Sequence, residues 1–425
     1  MTTNQIITLI IFVVTYVSLI AAYRWKLHFV VAACSVLLLW PGLMTIGVAL
    51  RAVNWNVLML YFGMLLLTET FIVSGAPALL AERLIREGTP ARWAILLVCT
   101  ASSIISMVVE NVAAVLIVTP IALAVAKRLK ISLAPVMIGV ALSSNLQGAA
   151  TMIGDPPSML MAGALGMNFN DFFWHYGRPS VFFAVELGAV VSTFVLWFVF
   201  RKNDGKAPPS EAQKLRSTVP GVLLLLLIFG LVFSSVVIPD WEYASGTICV
   251  VIGAGAAFWW VGHHGASQFI RQVWKLDWGT GFFILGIFIL VGSFSESGLI
   301  DRFVGSLATF SGQRVFFAYS LLVWGSVIVS ALVDNVPFVA AMLPVCAGLA
   351  QRLGVPPELF SFGMMIGASV GGNITPVGAS ANIVAMGIMR KSGHKVKFFE
   401  FVRIGLPFTF FAVVASTLFA WILHA

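Results

Sequence analysis

The sequence predicts an all-α polytopic membrane protein made of two inverted repeats, each with about five transmembrane helices, a re-entrant hairpin and a broken helix. Three observations predict it. Of the 425 residues, 60% are hydrophobic and only 10% charged, whereas a soluble domain carries about 25% charged residues. Apolar runs recur along nearly the whole chain, as at Gln5–Tyr23, His28–Leu50, Trp55–Gly75, Ser180–Phe200 and Val219–Ile238. Each is long enough for a hydrocarbon core of about 30 Å, which takes about 20 residues. Finally, the two halves match each other.

The match is read residue by residue. At an offset of 223, Trp55, Gly63, Phe71, Ser74 and Gly75 meet Trp278, Gly286, Phe294, Ser297 and Gly298. At 224, Glu110-Asn111-Val112 meets Asp334-Asn335-Val336, and Pro120, Gly148, Thr151 and Gly154 meet Pro344, Gly372, Thr375 and Gly378. Gly177 and Pro179 meet Gly405 and Pro407 at 228. So many pairs in one order indicate a repeat. The polar stretch 201–218 then reads as a linker between a first repeat at 1–200 and a second at 219–425.

In chain order, spans are expected at 5–23, 28–50, 55–75, 134–165 and 180–200, then 219–238, 244–262, 278–297, 360–390 and 402–424. The first run lacks the basic start and cleavage pattern of a signal peptide, so it reads as a true helix. Residues 93–126 and 315–348 are apolar but carry Glu110-Asn111 and Asp334-Asn335 in the middle. Their arms are short for crossing at about 1.5 Å per residue, so each reads as a re-entrant hairpin. Irregular backbone at that depth needs protein or a watery cavity around it. Segments 134–165 and 360–390 are interrupted by Gly and Pro and read as broken helices.

An odd number of spans per half inverts the second repeat. Twenty of the 25 Lys and Arg then fall in loops on one side and five on the other, which predicts an inner (plasma) membrane protein with both termini outside. This distribution explains the net charge of +8 without nucleic acid. Cys34, Cys99, Cys249 and Cys346 are scattered through apolar segments and read as small buried hydrophobes rather than metal ligands. His263-His264 reads as a loop pair with no further ligands beside it. No GxxxxGK[ST] run, HExxH or Ser/His nucleophile arrangement is present, so neither an enzyme nor a cofactor is expected.

Chemistry concentrates at hydrophobic depth, in Glu110-Asn111, Asp334-Asn335 and the two broken segments. Interrupted segments in corresponding positions of two halves point to a transporter site, because they free backbone N–H and C=O groups. A charge at the bilayer centre costs about 2.5–3.5 kcal/mol, so Glu110, Asp155 and Asp334 are candidates for proton or cation coupling. Glu69 and Glu296 lie near helix ends, where water solvates them, and Glu186 has either fate. Single glycines such as Gly148, Gly367, Gly371 and Gly372 serve close packing as readily as a site.

NLQGAATMIGDPPSML at Asn145–Leu160 resembles the first broken helix of the ion transporter superfamily. VDNVPFVAAMLP at Val333–Pro344 and GASVGGNITPVGASANIVAMGI at Gly367–Ile388 resemble its second hairpin and second broken helix. The likeness runs from Trp55 to Phe408 and is nearest to the branch of ArsB-type arsenite permeases, NhaD-type sodium/proton antiporters and the P protein. It implies an inverted-repeat fold with an elevator-like movement, and a site of Glu110, Asn111, Thr151, Asp155, Asp334, Asn335, Asn373, Thr375 and Ser380. Asn145 joins the substrate-binding candidates from the first broken segment. Dicarboxylate carriers of the superfamily have Ser-Asn-Thr at both tips. Acids stand here instead and disfavour a dianion. The expected function is proton-coupled efflux of arsenite and antimonite, with sodium or lithium/proton antiport as the alternative. The partners are then a small inorganic solute or ion, protons and the lipid bilayer, and a homodimer or a cytoplasmic ATPase subunit is compatible with the sequence.

Overall fold

A computed structural model describes residues 1–22, 25–83, 88–201, 215–393 and 396–425. Most of the expected linker, at 202–214, lies outside them. The first half runs α1 (Thr3–Ala21), α2 (Lys26–Leu39), α3 (Ile46–Ala52), α4 (Trp55–Val73), α5 (Ala76–Arg83), α6 (Ala91–Ser106), α7 (Asn111–Leu129), α8 (Leu133–Gly148), α9 (Pro156–Leu165) and α10 (Val181–Phe200). The second runs α11 (Val219–Val237), α12 (Ala244–His264), α13 (Ala266–Val273), α14 (Trp278–Glu296), α15 (Leu299–Phe310), α16 (Val315–Ser330), α17 (Asn335–Leu353), α18 (Pro357–Gly371), α19 (Ser380–Lys391) and α20 (Phe398–His424). The protein is an all-α, multi-pass membrane protein, and the same order of long, short and broken helices recurs in both halves.

Among the described residues, seven helices are long and apolar enough to cross a membrane, and α15 with α16 forms a pair bent by 117°. The expected span at 28–50 is instead two helices. Pro41 disfavours helical backbone at Trp40, which is extended at φ −79°, ψ 123°, and Gly42 turns the chain at φ +80°. Helices α6 and α7 meet at Glu110 and α16 and α17 at Asp334, and α17 is itself one of the seven long apolar helices. Both broken helices form. Helix α8 ends at Gly148 and α9 starts at Pro156, while α18 ends at Gly371 and α19 starts at Ser380.

Across the halves, α4 packs on α12, α2 on α14, and α10 on α20, the exchange of partners a pseudo-twofold axis produces. Gly63 and Gly253 let α4 and α12 meet backbone to backbone; a Cβ on Gly253 would lie 2.6 Å from the Gly63 carbonyl oxygen. Helices α8 and α18 form the innermost layer, buried along nearly their whole lengths. His263 and His264, expected in a loop, occupy the last turn of α12 and lie against Trp259 and Trp260. The four cysteines are buried and unbridged.

Candidate functional site

The hairpin tips share a set of hydrogen bonds that is used twice, to which the first tip adds the Ser144 hydroxyl, bonded to Ser106 Oγ at 3.1 Å and the Asn111 carbonyl at 3.0 Å. Ser106 Oγ donates to Asn111 Oδ1 at 2.8 Å and reaches the Ser144 carbonyl at 2.8 Å. Its counterpart Ser330 donates to Asn335 Oδ1 at 2.7 Å and reaches the Ala368 carbonyl. Thr151 donates to the Met107 carbonyl and Thr375 to the Ala331 carbonyl. Every group of the shared set is related to its mate by the 224 offset. Thr151 and Thr375 thus fix the tips rather than face the cavity described below.

The two broken helices are joined by a buried triad. Asn145 Nδ2 donates to Asn373 Oδ1 at 2.8 Å and to Asn382 Oδ1 at 2.9 Å. Asn373 donates to the Leu142 carbonyl at 3.0 Å, and Asn382 to the carbonyls of Gly372 and Thr375, both at 3.0 Å. Asn373 and Asn382 have no exposed surface. Asn373 is therefore a bridge between repeats, with its amide committed on both ends.

The other candidates converge. Glu110, Asn111, Asn145, Asp155, Asp334, Asn335 and Ser380 line one cavity of about 180 Å³, which Lys26, Asp277 and Thr280 complete. Glu110, Asp155, Asp334 and Asp277 are the N-cap residues of α7, α9, α17 and α14, and Ser380 opens α19. Five helix N-termini thus point their positive ends at one space, where acids are the favoured side chains. Asp155 Oδ1 accepts from the Ser158 amide at 2.9 Å and hydroxyl at 2.6 Å. Its Oδ2 is buried without a partner in the protein. Asp334 accepts from the Val336 amide at 3.1 Å and the Ser380 hydroxyl at 3.3 Å.

Sequence reasoning missed the wall that faces these tips. Lys26 Nζ donates to Thr280 Oγ1 at 3.0 Å, and Thr280 Oγ1 donates to Asp277 Oδ2 at 2.6 Å. In the sequence Lys26 is one of the 20 basic residues assigned to loops on one side. Asp277 precedes Trp278 as Asn54 precedes Trp55, so the repeat carried its signal. Asn54 caps α4 and donates to the Gly163 carbonyl of α9 at 3.1 Å. Gly387, the mate of Gly163, has nothing near its Cβ position. The seam between α4 and α9 is shut, while the matching seam between α14 and α19 stands apart. Of the remaining acids, Glu69 accepts from Gln272, Glu186 accepts from Gln147 at 3.0 Å, and Glu296 is exposed.

The chain is similar to known transporters along its length. The family profile CitMHS, described as citrate transporter, matches residues 7–367. An uncharacterized transporter of Mycobacterium tuberculosis is 28% identical over 428 residues, covering 98% of both chains. The P protein of Homo sapiens is 25% identical over 84% of this chain, which spans about half of that protein (52%). Among solved structures, the YdaH transporter of Alcanivorax borkumensis aligns with a TM-score of 0.63 at 14% identity, covering 95% of this chain and 97% of that one. MtrF of Neisseria gonorrhoeae, described as illuminating a class of antimetabolite efflux pumps, aligns at 0.57 and 14% identity over 100% of this chain and 95% of its own. These two likenesses concern the fold.

Proposed function

The chain belongs to the citrate transporter family and is a secondary transporter; we propose that it exports arsenite and antimonite in exchange for protons through the cavity between the two hairpin tips. The observation that carries this reading is the meeting of four acids with Asn, Ser and Thr groups at five helix N-termini. Arsenite is a small uncharged trihydroxide near neutral pH. It needs donors and acceptors in a compact space, and Asn111, Asn145, Asn335 and Ser380 supply them. Glu110, Asp155 and Asp334 supply the proton sites. A cargo that binds the protonated and ionised forms differently shifts the balance between inward- and outward-open states, and only that difference couples the two fluxes.

Sodium or lithium/proton antiport is the second reading. Four carboxylates around one cavity favour it, since hard cations take oxygen ligands. A bare dicarboxylate or citrate ion is the weakest fit, because its charges face the same acids. In the orientation set by the basic loops, both termini lie outside the plasma membrane.

Everted membrane vesicles test these readings side by side. Arsenite, sodium and citrate are offered with and without an imposed proton gradient. The arsenite reading expects uptake that collapses with an uncoupler and is lost in Asp334→Asn. A sodium-dependent proton signal with no arsenite movement establishes the antiport reading instead. Citrate uptake alone overturns both.

A further inference from the structure

Among the described residues, the pseudo-twofold pair α10 and α20 is covered at one end and open at the other. At the covered end, residues 166–180 fold over the start of α18 and the end of α20. His175 Nε2 lies 3.2 Å from Glu358 Oε1, Arg178 donates to the Leu423 carbonyl, and His424 Nε2 lies 3.3 Å from the Pro179 carbonyl oxygen. The matching connection in the second half, residues 392–397, is much shorter. Among the described residues, a groove of about 920 Å³ lies between α10 and α20 at that end. Phe194, Phe198 and Phe411 line it, and Arg201, Arg403 and Glu400 stand where the two helices approach their polar flanks.

We propose that this groove binds one anionic phospholipid, with an acyl chain along the phenylalanines and the phosphate between Arg201 and Arg403. The charge balance selects the headgroup, because two guanidinium groups face one carboxylate. A guanidinium presents a planar fork of donors that matches phosphate oxygens, and basic pockets between membrane helices recruit acidic headgroups. Arg201 lies over the Phe198 ring at 3.8 Å, which holds the cation at the groove's mouth. The groove also touches the transport machinery. Pro135 of α8 lines it, and α20 is pressed so closely on the second broken helix that a Cβ on Gly405 would lie 2.2 Å from the Asn373 carbonyl oxygen. A lipid seated here braces the helix that backs the asparagine triad.

The test is retention of phosphatidylglycerol against phosphatidylethanolamine by the purified full chain, read by native mass spectrometry from mixed bilayers. The expected result is at least about fivefold preference for phosphatidylglycerol, a gap of about 1 kcal/mol. The preference should fall to parity in Arg201→Gln/Arg403→Gln and rise in Glu400→Gln, a variant that removes no cation. Equal retention of both lipids by the native chain overturns the proposal, and so does a preference that the three substitutions leave unmoved. Disulfide cross-linking between two copies through Phe411→Cys, with no lipid retained, also overturns it by assigning the groove to a second copy.

Discussion

The two halves share one design at the hairpin tips and part company at the seams around them. The Ser–Asn–carbonyl and Thr–carbonyl bonds are reproduced group for group at 224 residues. The packing of the scaffold helices is not. Gly63 meets Gly253 backbone to backbone, whereas their mates are Gly286 and Val30, and a Cβ on Gly286 would lie 2.3 Å from Val30 Cγ1. The seam with two glycines is the side where Asn54 reaches Gly163. The seam with the valine is the side where Asp277 and Lys26 border the open cavity. Similar tips with unequal flanks fit the proposed reading, in which the tips hold the cargo while the flanks decide which side reaches it.

Giving the closed seam the other half's residue should have the largest effect. Gly253→Val drives a branched side chain into the α4 backbone, and overpacking of this kind costs about 1–3 kcal/mol or more. Thermal unfolding in detergent should show a large loss, while Val30→Gly, the reverse exchange, keeps the fold. Equal tolerance of both would break the comparison.

Next comes the triad. Asn145→Ala removes the donor to two buried acceptors, Asn373 Oδ1 and Asn382 Oδ1, each costing about 1–3 kcal/mol when left unpaired. It should destabilise more than Ser106→Ala or Ser330→Ala, and Ser106→Ala should cost somewhat more than Ser330→Ala, because Ser106 Oγ also accepts from the Ser144 hydroxyl at 3.1 Å and Ala368 offers Ser330 no such donor. A Ser330→Ala loss as large as that of Ser106→Ala in the same unfolding assay would mean that the extra Ser144 bond adds nothing to the first tip.

Cross-linking sharpens the contrast at the seams. Asn54→Cys/Gly163→Cys should oxidise readily in the resting protein, and Asp277→Cys/Gly387→Cys only after cargo or inhibitor reverses the carrier. Fast cross-linking of both pairs at rest would deny the asymmetry.

The smallest expected effect lies outside the membrane spans, in the connection at 166–180. Burial opposes the charge on His175, but Asp171 and Glu358 outweigh it and raise its pKa above 6.5. A folded-state pKa above the unfolded one adds stability that is complete below the unfolded value and is lost as pH rises through the folded value. The native chain should therefore lose a little thermal stability as pH rises above 6.5, and His175→Gln should lose less. Identical slopes would remove His175 from the account.

Much of this was legible in the residues. The helix breaks at Glu110 and Asp334 were, because an acid beside a carboxamide interrupts each apolar run. The broken helices were also readable, since Gly and Pro interrupt them in both halves. Seven of the candidate residues do meet at one cavity: Glu110, Asn111, Asn145, Asp155, Asp334, Asn335 and Ser380. The roles of Thr151, Thr375 and Asn373 were not legible, because residue type alone does not say whether a polar group faces cargo or a neighbouring carbonyl. Lys26 and Asp277 were hidden for another reason. Both lie at helix starts near polar connections, where sequence reads solvation, and only the tertiary packing turns them toward the tips.

Proton movement in proteoliposomes carrying an internal pH dye tests the central claim most directly. Arsenite added to the native protein should drive protons in the direction opposite to the arsenite, and Glu110→Gln/Asp334→Asn should abolish the signal while the protein stays folded. Arsenite that moves with no proton signal, or a proton signal that survives loss of both acids, would contradict the assignment of coupling to the paired hairpin tips.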